Sequence, residues 1–430
     1  MLAIAAAAVF LISYALIATE KVHRVAAALG GVAGMTLLGL VNAKSAFFDE
    51  HTGVDWNVLA LLFGMMVVVS VLRHTGLFEF ISLWAAPTCR GSPRRLMLLL
   101  IGITAVFSPI LDNVTTVLLV APVTLAVCRR LKLNPVPHLI ALVTTSNVGG
   151  ISTLIADPPN IIIASRAGIG FNDFLVIAMP LYAVLLVALT GVLLLLFRRE
   201  LACRSSVDVA TLGIDPMEAI PDKPLLVRCL VVLGMILAAF TMNHLLPFEP
   251  SMVALLGAGV MVLVSRTKPE QFLTEVEWLT LAFFMALFVL VGALVQVGII
   301  GYLGQAAARA MHGDELLGAT GLLLGSTVIG ALVDNIPYTT AMMPIAQSMV
   351  ESTGHVGAAS PLWWSFIFGA DLGGNATAVG AGANVVVLGI AAKWGHPISF
   401  WDFTKRGLVV TAVTVFVAGV YVWLRFFILA

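Results

Sequence analysis

The stretch that decides the fold is Asp112-Asn113-Val-Thr-Thr-Val-Leu-Leu-Val-Ala-Pro122, which recurs in outline in the second half of the chain as Asp334-Asn335-Ile-Pro-Tyr-Thr-Thr-Ala-Met-Met-Pro344. Both copies lie deep in apolar sequence, where a carboxylate at the centre of a membrane helix costs about 3 kcal/mol. A repeated Asp-Asn pair in such a place therefore indicates a duplicated sequence and a functional site.

The composition indicates a polytopic helical membrane protein. Of the 430 residues, 60% are hydrophobic and only 11% are charged, whereas a soluble protein carries roughly 25% charged residues. The net charge is zero, so nucleic acid is not an expected partner. The four cysteines show no metal-ligand spacing, and we expect neither a bound metal nor a cofactor.

Apolar runs of about 17 to 25 residues predict membrane-spanning helices. Ten spans are predicted, over residues 2–18, 25–41, 56–72, 138–164, 174–197, 226–246, 252–265, 278–297, 362–392 and 408–427.

Each half of the chain also holds a paired apolar segment around its Asp-Asn motif. The arms cover residues 96–111 and 114–128 in the first half, and 316–333 and 336–350 in the second. Two ordinary helices would explain each pair. We favour a re-entrant hairpin with Asp-Asn at its tip, because non-helical backbone at membrane depth is tolerated inside protein or beside a cavity.

The duplication extends beyond these motifs. Val54-Asp55-Trp56 matches Val276-Glu277-Trp278 at the same spacing as the two Asp-Asn pairs, and Asn147–Asn160 matches Asp371–Asn384 at nearly that spacing. We therefore predict an all-α polytopic fold with two repeats, each with five transmembrane helices, a re-entrant hairpin and a broken fourth helix. Repeat 1 covers residues 1–199 (hairpin about 95–128, broken helix about 138–165). A cytoplasmic linker covers 200–224, and repeat 2 covers 225–430 (hairpin about 316–350, broken helix about 362–392).

The number of crossings per repeat is odd, which predicts that the second repeat is inverted relative to the first. On this topology one face carries 19 of the 23 Lys and Arg residues, and the other carries only Lys44, Arg166, Arg309 and Arg425. The positive-inside rule makes the richer face cytoplasmic. We thus expect a multi-pass protein of the cell inner membrane with both termini outside the cytoplasm.

The two Asp-Asn tips are candidate sites for ion coupling. Asp112 and Asp334 can hold a proton or ionise beside a cation, and capping of the following helix is their alternative role. Neighbouring amides and hydroxyls can bind a small polar solute. These are Asn113, Thr115, Thr116, Asn335, Thr339 and Thr340.

The fourth span of each half contains a Gly-Gly segment that predicts a broken helix. Discontinuous helices at matching positions of two halves point to a midplane binding site, whereas close packing through small residues would explain the glycines alone. The candidate residues are Asn147, Gly149, Gly150, Thr153, Asp157 and Asn160 in the first half, and Asp371, Gly373, Gly374, Asn375, Thr377 and Asn384 in the second.

The two segments differ in where each carries its acid. Asp157 aligns with Ala381, and Asp371 aligns with Asn147. Each half thus keeps one carboxylate at a different position, which allows the two acids to have different roles. The sequence does not assign those roles.

At these motifs the sequence resembles the ion transporter superfamily. Leu111-Asp-Asn-Val-Thr115, Gly149–Asn160 and Gly373–Asn384 are most similar to the arsenite/antimonite efflux permease family. Its relatives include the melanosomal P protein, plant silicon effluxers, sodium/proton antiporters and divalent-anion/sodium symporters.

The resemblance implies export of arsenite or antimonite from the cytoplasm in exchange for protons, through an elevator-like movement in the lipid bilayer. It also implies a homodimer and a cytoplasmic ATPase subunit as candidate partners. Arsenous acid is neutral and hydroxyl-rich, which suits Asn, Thr and backbone groups. No Lys or Arg lies inside either predicted broken span, which counts against multiply charged dicarboxylates.

Other functions remain open on the sequence. A sodium/proton antiporter or a sodium-coupled anion transporter would use the same fold, and a passive channel would carry the same helices. No GxSG or GxGD motif of an intramembrane protease is present, so we do not expect an enzyme.

Overall fold

A computed structural model describes residues 2–19, 22–49, 52–89, 91–202, 216–242, 248–266, 268–311, 313–355 and 357–429. Most of these residues are helical, and no strand occurs among them. The first half contains α1 (Leu2–Thr19), α2 (Arg24–Leu37), α3 (Ala43–Phe47), α4 (Trp56–Arg73), α5 (Leu77–Thr88), α6 (Pro93–Phe107), α7 (Asn113–Arg130), α8 (Val136–Gly150), α9 (Pro158–Ala167) and α10 (Phe171–Leu196). The second half contains α11 (Lys223–Thr241), α12 (Pro250–Ser265), α13 (Pro269–Glu275), α14 (Trp278–Gln296), α15 (Ile299–Ala310), α16 (Glu315–Leu332), α17 (Asn335–Glu351), α18 (Pro361–Gly373), α19 (Gly382–Lys393) and α20 (Phe400–Ile428).

Every predicted span has a helical counterpart among the described residues, and both fourth spans are interrupted. Residues 203–215 of the predicted linker and the last residues of the predicted span 226–246 lie outside the described residues. Residues 151–157 separate α8 from α9, and residues 374–381 separate α18 from α19. Within the described ranges, seven helices are long and apolar enough to cross a membrane, and four more apolar helices are shorter. The seven include α7 and α16, so arm length does not distinguish hairpins from full spans, and the re-entrant geometry stays a prediction.

Four helices were not predicted from the sequence: α3, α5, α13 and α15. They have 5 to 12 residues, too few to cross the hydrocarbon core. All four join consecutive longer helices, and α15 also packs along α17. A search for long apolar runs overlooks such connecting helices because their polar residues interrupt the run.

The long helices pack into two groups. In the first, α4 crosses α12, α12 lies beside α11, and α2 lies between α1 and α14. In the second, α6 and α7 lie against α8, and α16 packs along α18. We call the first group, α1, α2, α4, α11, α12 and α14, the frame. The second group is the core, which comprises α6–α10 and α16–α20. The core meets the frame at two contacts, where α9 touches α4 and where α17 touches α14.

The crossing of α4 and α12 depends on a small residue at the contact point. A Cβ atom added at Gly64 of α4 would lie 2.7 Å from the backbone carbon and 2.9 Å from the Cβ of Ala254 in α12. Small residues allow two membrane helices to approach this closely and to gain packing energy along their length. Gly64 therefore sets the distance between two frame helices.

We predict that Gly64→Ala lowers the stability of the folded protein by about 1–3 kcal/mol, because α12 cannot move away without losing its other contacts. Thermal unfolding of the purified protein in detergent measures this as a lower Tm. Gly259→Ala in α12 is the matched control, since a Cβ there meets nothing within 4 Å. An unchanged Tm in Gly64→Ala would contradict the close crossing.

Candidate functional site

The two Asp-Asn motifs lie at equivalent helix starts. Asp112 caps α7 by accepting a hydrogen bond from the Thr115 backbone N–H at 2.9 Å, and its other oxygen accepts from the Thr115 hydroxyl at 2.5 Å. Asp334 caps α17 by accepting from the Ile336 N–H at 3.1 Å. The capping role is thus present in both halves, and it leaves carboxylate oxygens to face neighbouring groups.

The asparagines of both motifs converge on one acid, Asp157. The Asn113 side-chain amide donates to Asp157 Oδ2 at 2.5 Å, and the Asn335 amide donates to the same oxygen at 3.2 Å. Asp157 is buried and begins α9 without capping it. The structure therefore joins both tips to the first broken helix through a single carboxylate oxygen.

The predicted solute-binding amides and hydroxyls of the two tips differ in the partners that they already have. Asn113 and Asn335 are both buried and both give an amide N–H to Asp157. Thr116 and Thr339 are also buried, because they follow the caps into the helix interior, and Thr115 bonds to Asp112. The Asn113 and Asn335 amides and the Thr115 hydroxyl thus have partners inside the protein, whereas the Thr116 and Thr339 hydroxyls have none among the described residues.

The remaining asparagines close the two helix breaks. The Asn160 amide donates to the carbonyl oxygens of Gly150 at 2.7 Å and Thr153 at 3.0 Å. The Asn384 amide donates in the same way to Gly374 at 2.7 Å and Thr377 at 2.8 Å. Carbonyl groups at the end of a helix lack an intrahelical partner, and these asparagines supply one in each half.

One amide links the two broken helices. Asn147 on α8 donates its amide to Oδ1 of Asn375 at 3.0 Å and to Oδ1 of Asn384 at 2.9 Å. All three side chains are almost completely buried. The middle of the core is thus a hydrogen-bonded contact between segments that come from different halves of the chain.

The glycines and threonines of the breaks fix the arms against the broken helices. A Cβ added at Gly149 would lie 2.3 Å from the Ser108 hydroxyl, and one at Gly373 would lie 2.7 Å from the Thr327 carbonyl oxygen. The Thr153 hydroxyl donates to Pro109 and the Thr377 hydroxyl to Ala331, both at 2.6 Å. These close approaches are the ones that close packing, the alternative explanation of the glycines, requires.

Gly150 and Asp371 complete the set of candidate residues. A Cβ added at Gly150 would lie 2.9 Å from Asp157 Oδ2, so this glycine makes room for the central carboxylate. Asp371 on α18 is buried, and neither of its oxygens has a hydrogen-bond partner among the described residues.

A cavity of about 80 Å³ lies between the frame and the tips. Four carboxylates line it, those of Asp112, Asp157, Glu277 and Asp334, together with the guanidinium of Arg24. Since a water molecule needs roughly 10–15 Å³ of such volume, the cavity has room for a solute of a few heavy atoms. Its charged groups favour protons, small cations or a small hydroxylated solute.

Arg24 and Glu277 were not among the sequence-predicted site residues. Arg24 begins α2, its Nη1 lies 3.7 Å from Asp334 Oδ2, and its guanidinium stacks 5.5 Å from the centre of the Phe283 ring. Glu277 precedes α14 and accepts from the Thr280 hydroxyl at 2.8 Å. The match between Glu277 and Asp55 in the duplicated sequence could have indicated Glu277. Arg24 lies in no duplicated motif.

A second, larger cavity lies on the same boundary between frame and core. It has a volume of about 510 Å³ and is lined by Ser165 and Arg166 of α9, Thr340 and Gln347 of α17, and Gly292 of α14. Because α9 and α17 both begin at the small cavity, this second cavity lies towards the far end of both helices. Among the described residues, no cluster of His, Cys, Asp or Glu could hold a metal ion in either place.

Comparison with known proteins agrees with this architecture. Residues 14–369 match the family described as CitMHS, citrate transporter. An uncharacterized transporter of Mycobacterium tuberculosis is 46% identical to this chain over 100% of both sequences. The P protein of Homo sapiens is 33% identical over 95% of this chain and 58% of its own length.

A solved structure shows the same fold. The YdaH transporter of Alcanivorax borkumensis superimposes with a TM-score of 0.59 at 17% identity, over 99% of this chain and 98% of its own. The expected relationship to the P protein is confirmed, but the matched family is named for citrate rather than for arsenite or antimonite. This chain is therefore a multi-pass membrane transporter that belongs to the CitMHS citrate transporter family of the ion transporter superfamily.

Proposed function

We propose that this protein is a secondary active transporter that exports a small hydroxylated solute from the cytoplasm in exchange for protons, with arsenite or antimonite as the solute. The observation that carries the proposal is the meeting of Asn113 and Asn335 on one oxygen of Asp157. It places a titratable group where both repeats and a broken helix come together.

The charge balance of the small cavity supports coupling to protons. Four carboxylates face one guanidinium, and uncompensated buried charge is costly. Protons that bind these acids neutralise the excess negative charge of the cavity, and the charge returns when the protons are released. Asp112, Asp157 and Asp334 are thus the proposed proton-carrying groups.

The two cavities support alternating access. The small cavity holds Arg24 and Glu277, which start frame helices at the end that the charge distribution makes cytoplasmic. The larger cavity lies at the opposite end of the same boundary. Arg166 of the core lies 3.7 Å from Asp55 of the frame at that end, and Ser165 donates to Asp55 at 2.7 Å. A sliding of the core along the frame would exchange these contacts and carry the site between the two sides.

The size and polarity of the small cavity support a small neutral solute. About 80 Å³ suits a molecule of a few heavy atoms such as arsenous acid, and four acids disfavour a multiply charged anion. Arg24, however, favours a second candidate. Its guanidinium matches carboxylate geometry, and the matched family is named for citrate, so a citrate transporter is the alternative function.

We predict that Asp157→Asn lowers the initial rate of proton-driven transport at least tenfold, while the protein stays folded. The amide keeps the shape of the side chain but cannot carry the proton. Transport into proteoliposomes under an imposed pH gradient measures the rate, and size-exclusion chromatography in detergent checks folding.

Asp314→Asn is the matched control for Asp157→Asn. Asp314 caps α16 through the N–H groups of Leu316 and Leu317 at 2.9 and 3.1 Å, and Asn caps a helix as well as Asp does. Normal proton-driven transport by Asp157→Asn would remove the coupling role from this acid.

We predict that proteoliposomes transport arsenite along an imposed pH gradient without sodium, and that citrate neither moves nor competes. Arg24→Gln should then change the KM for arsenite less than about threefold, because a neutral solute gains little from a guanidinium. Arg309→Gln, at an exposed arginine of α15, is the matched control.

The opposite pattern would support the alternative function. Citrate flux without arsenite flux, together with a KM for citrate that rises at least tenfold in Arg24→Gln, would overturn the arsenite proposal and make Arg24 an anion-binding residue. Flux that follows sodium instead of pH would overturn proton coupling.

A further inference from the structure

The two helix breaks use matching hydrogen bonds, with one difference. Asn160 and Asn384 occupy corresponding positions in the two repeats. Each donates its amide to two carbonyl groups of its own break, at positions 10 and 7 residues earlier in the chain. The two side chains are completely buried, so their carbonyl oxygens also need partners inside the protein.

The carbonyl oxygen of Asn384 has such a partner, and that of Asn160 does not. Asn384 Oδ1 accepts from the Asn147 amide at 2.9 Å. Asn160 Oδ1 accepts no hydrogen bond among the described residues. A buried acceptor without a donor costs about 1–3 kcal/mol, which indicates that a donor is needed there.

The sequence correspondence points to a candidate for the missing donor. The same alignment that pairs Asn160 with Asn384 pairs Asn147 with Asp371, so Asp371 stands relative to Asn160 as Asn147 stands relative to Asn384. Asp371 is 2% exposed, and neither of its oxygens has a hydrogen bond or an ion pair among the described residues. A charged carboxylate offers only acceptors, whereas a protonated carboxyl group has one O–H donor.

We propose that Asp371 keeps its proton throughout the transport cycle and donates its O–H to Asn160 Oδ1. It would thereby do in one half what the Asn147 amide does in the other. Asp371 is then a positioning residue that holds the α8–α9 break in place, and it leaves proton exchange to the acids around Asp157. Asp371 would have this role whichever solute is transported.

One proton would satisfy two buried groups at once. It neutralises a carboxylate that has no cationic partner among the described residues, and burial of an unpaired charge is far more costly than burial of a neutral acid. It also supplies the donor that Asn160 lacks. A sodium ion bound between the orphaned oxygens of Asp371, Asn160 and Asn147 is the competing explanation, and the experiment separates the two.

Infrared spectroscopy of the purified protein at pH 7.5 tests the protonation directly. The spectrum of the wild type should contain a carboxylic-acid C=O band from Asp371. This band should be absent from Asp371→Asn and present in Asp157→Asn. Absence of an Asp371-dependent band would overturn the proposal. A Tm that sodium raises in the wild type but not in Asp371→Asn would overturn it too, in favour of the cation site.

Two substitutions test the positioning role. Asp371→Asn replaces the O–H donor with an amide N–H donor like that of Asn147. We therefore expect a Tm within about 2 °C of the wild type and proton-driven transport within about twofold. Asp371→Leu has no donor, and we expect its Tm to fall by more than about 3 °C. Loss of proton-driven transport in a folded Asp371→Asn would show that Asp371 carries the exchanged proton and overturn the inference.

The infrared and Tm outcomes are independent of the proposed function, whereas the transport outcome rests on it. A protein that transports citrate, or that follows sodium at the Asp157 cavity, would still show the Asp371 infrared band and the contrast between the Asn and Leu variants. Conversely, proton-driven arsenite transport could be found in a protein whose Asp371 is charged. Failure of one proposal therefore does not resemble failure of the other.

Discussion

The arrangement of the core depends on one buried carboxylate oxygen that receives two amide groups. Asp157 Oδ2 is within 3.2 Å of both Asn113 and Asn335, which begin helices in different halves of the chain. A buried charge or a buried amide is stable only when it is hydrogen-bonded, so these three side chains constrain one another. That constraint fixes how closely the two tips approach and where α9 begins. The glycines at 149 and 150 follow from it, because a side chain there would collide with Ser108 or with Asp157 itself.

Much of this arrangement could be predicted from the sequence, because duplication makes functional residues visible twice. The Asp-Asn tips and the two helix breaks were found in this way, and the structure brings Asn113, Asn335 and Asp157 into direct contact. Arg24 and Glu277 were missed for a physical reason. They stand at the first turns of frame helices, where charged residues are common at the membrane surface, and only the packing of frame against core brings them to the cavity. The role of buried asparagines as donors to backbone carbonyl groups was also not predicted. The sequence does not show whether the amide of an asparagine faces a solute or a carbonyl group.

The family assignment and the site geometry answer different questions. The family match covers most of the chain and supports a transporter of this fold. On the proposed function, the solute is selected by the few groups that face the cavity, and those include Arg24 and Glu277, which lie outside the tips and breaks. Arg24 favours an anion, whereas the four acids and the small volume oppose one. The absence of Lys and Arg from the broken helices therefore carries less weight against carboxylate solutes than the sequence indicated.

The position of Arg24 also gives the proposed coupling a physical basis. Arg24 belongs to the frame and Asp334 to the core, and their ion pair at 3.7 Å crosses the boundary between the two groups. A core that slides along the frame must break this pair and carry the Asp334 carboxylate past apolar frame helices. The Arg24 side chain is 41% exposed, so the ion pair itself contributes little to stability, and the main cost is that of carrying an unpaired carboxylate past apolar helices. A proton on Asp334 removes that cost. On the proposed mechanism, a core without a proton at this tip is therefore held in place by the cost of burying the Asp334 carboxylate, and this condition opposes uncoupled leakage.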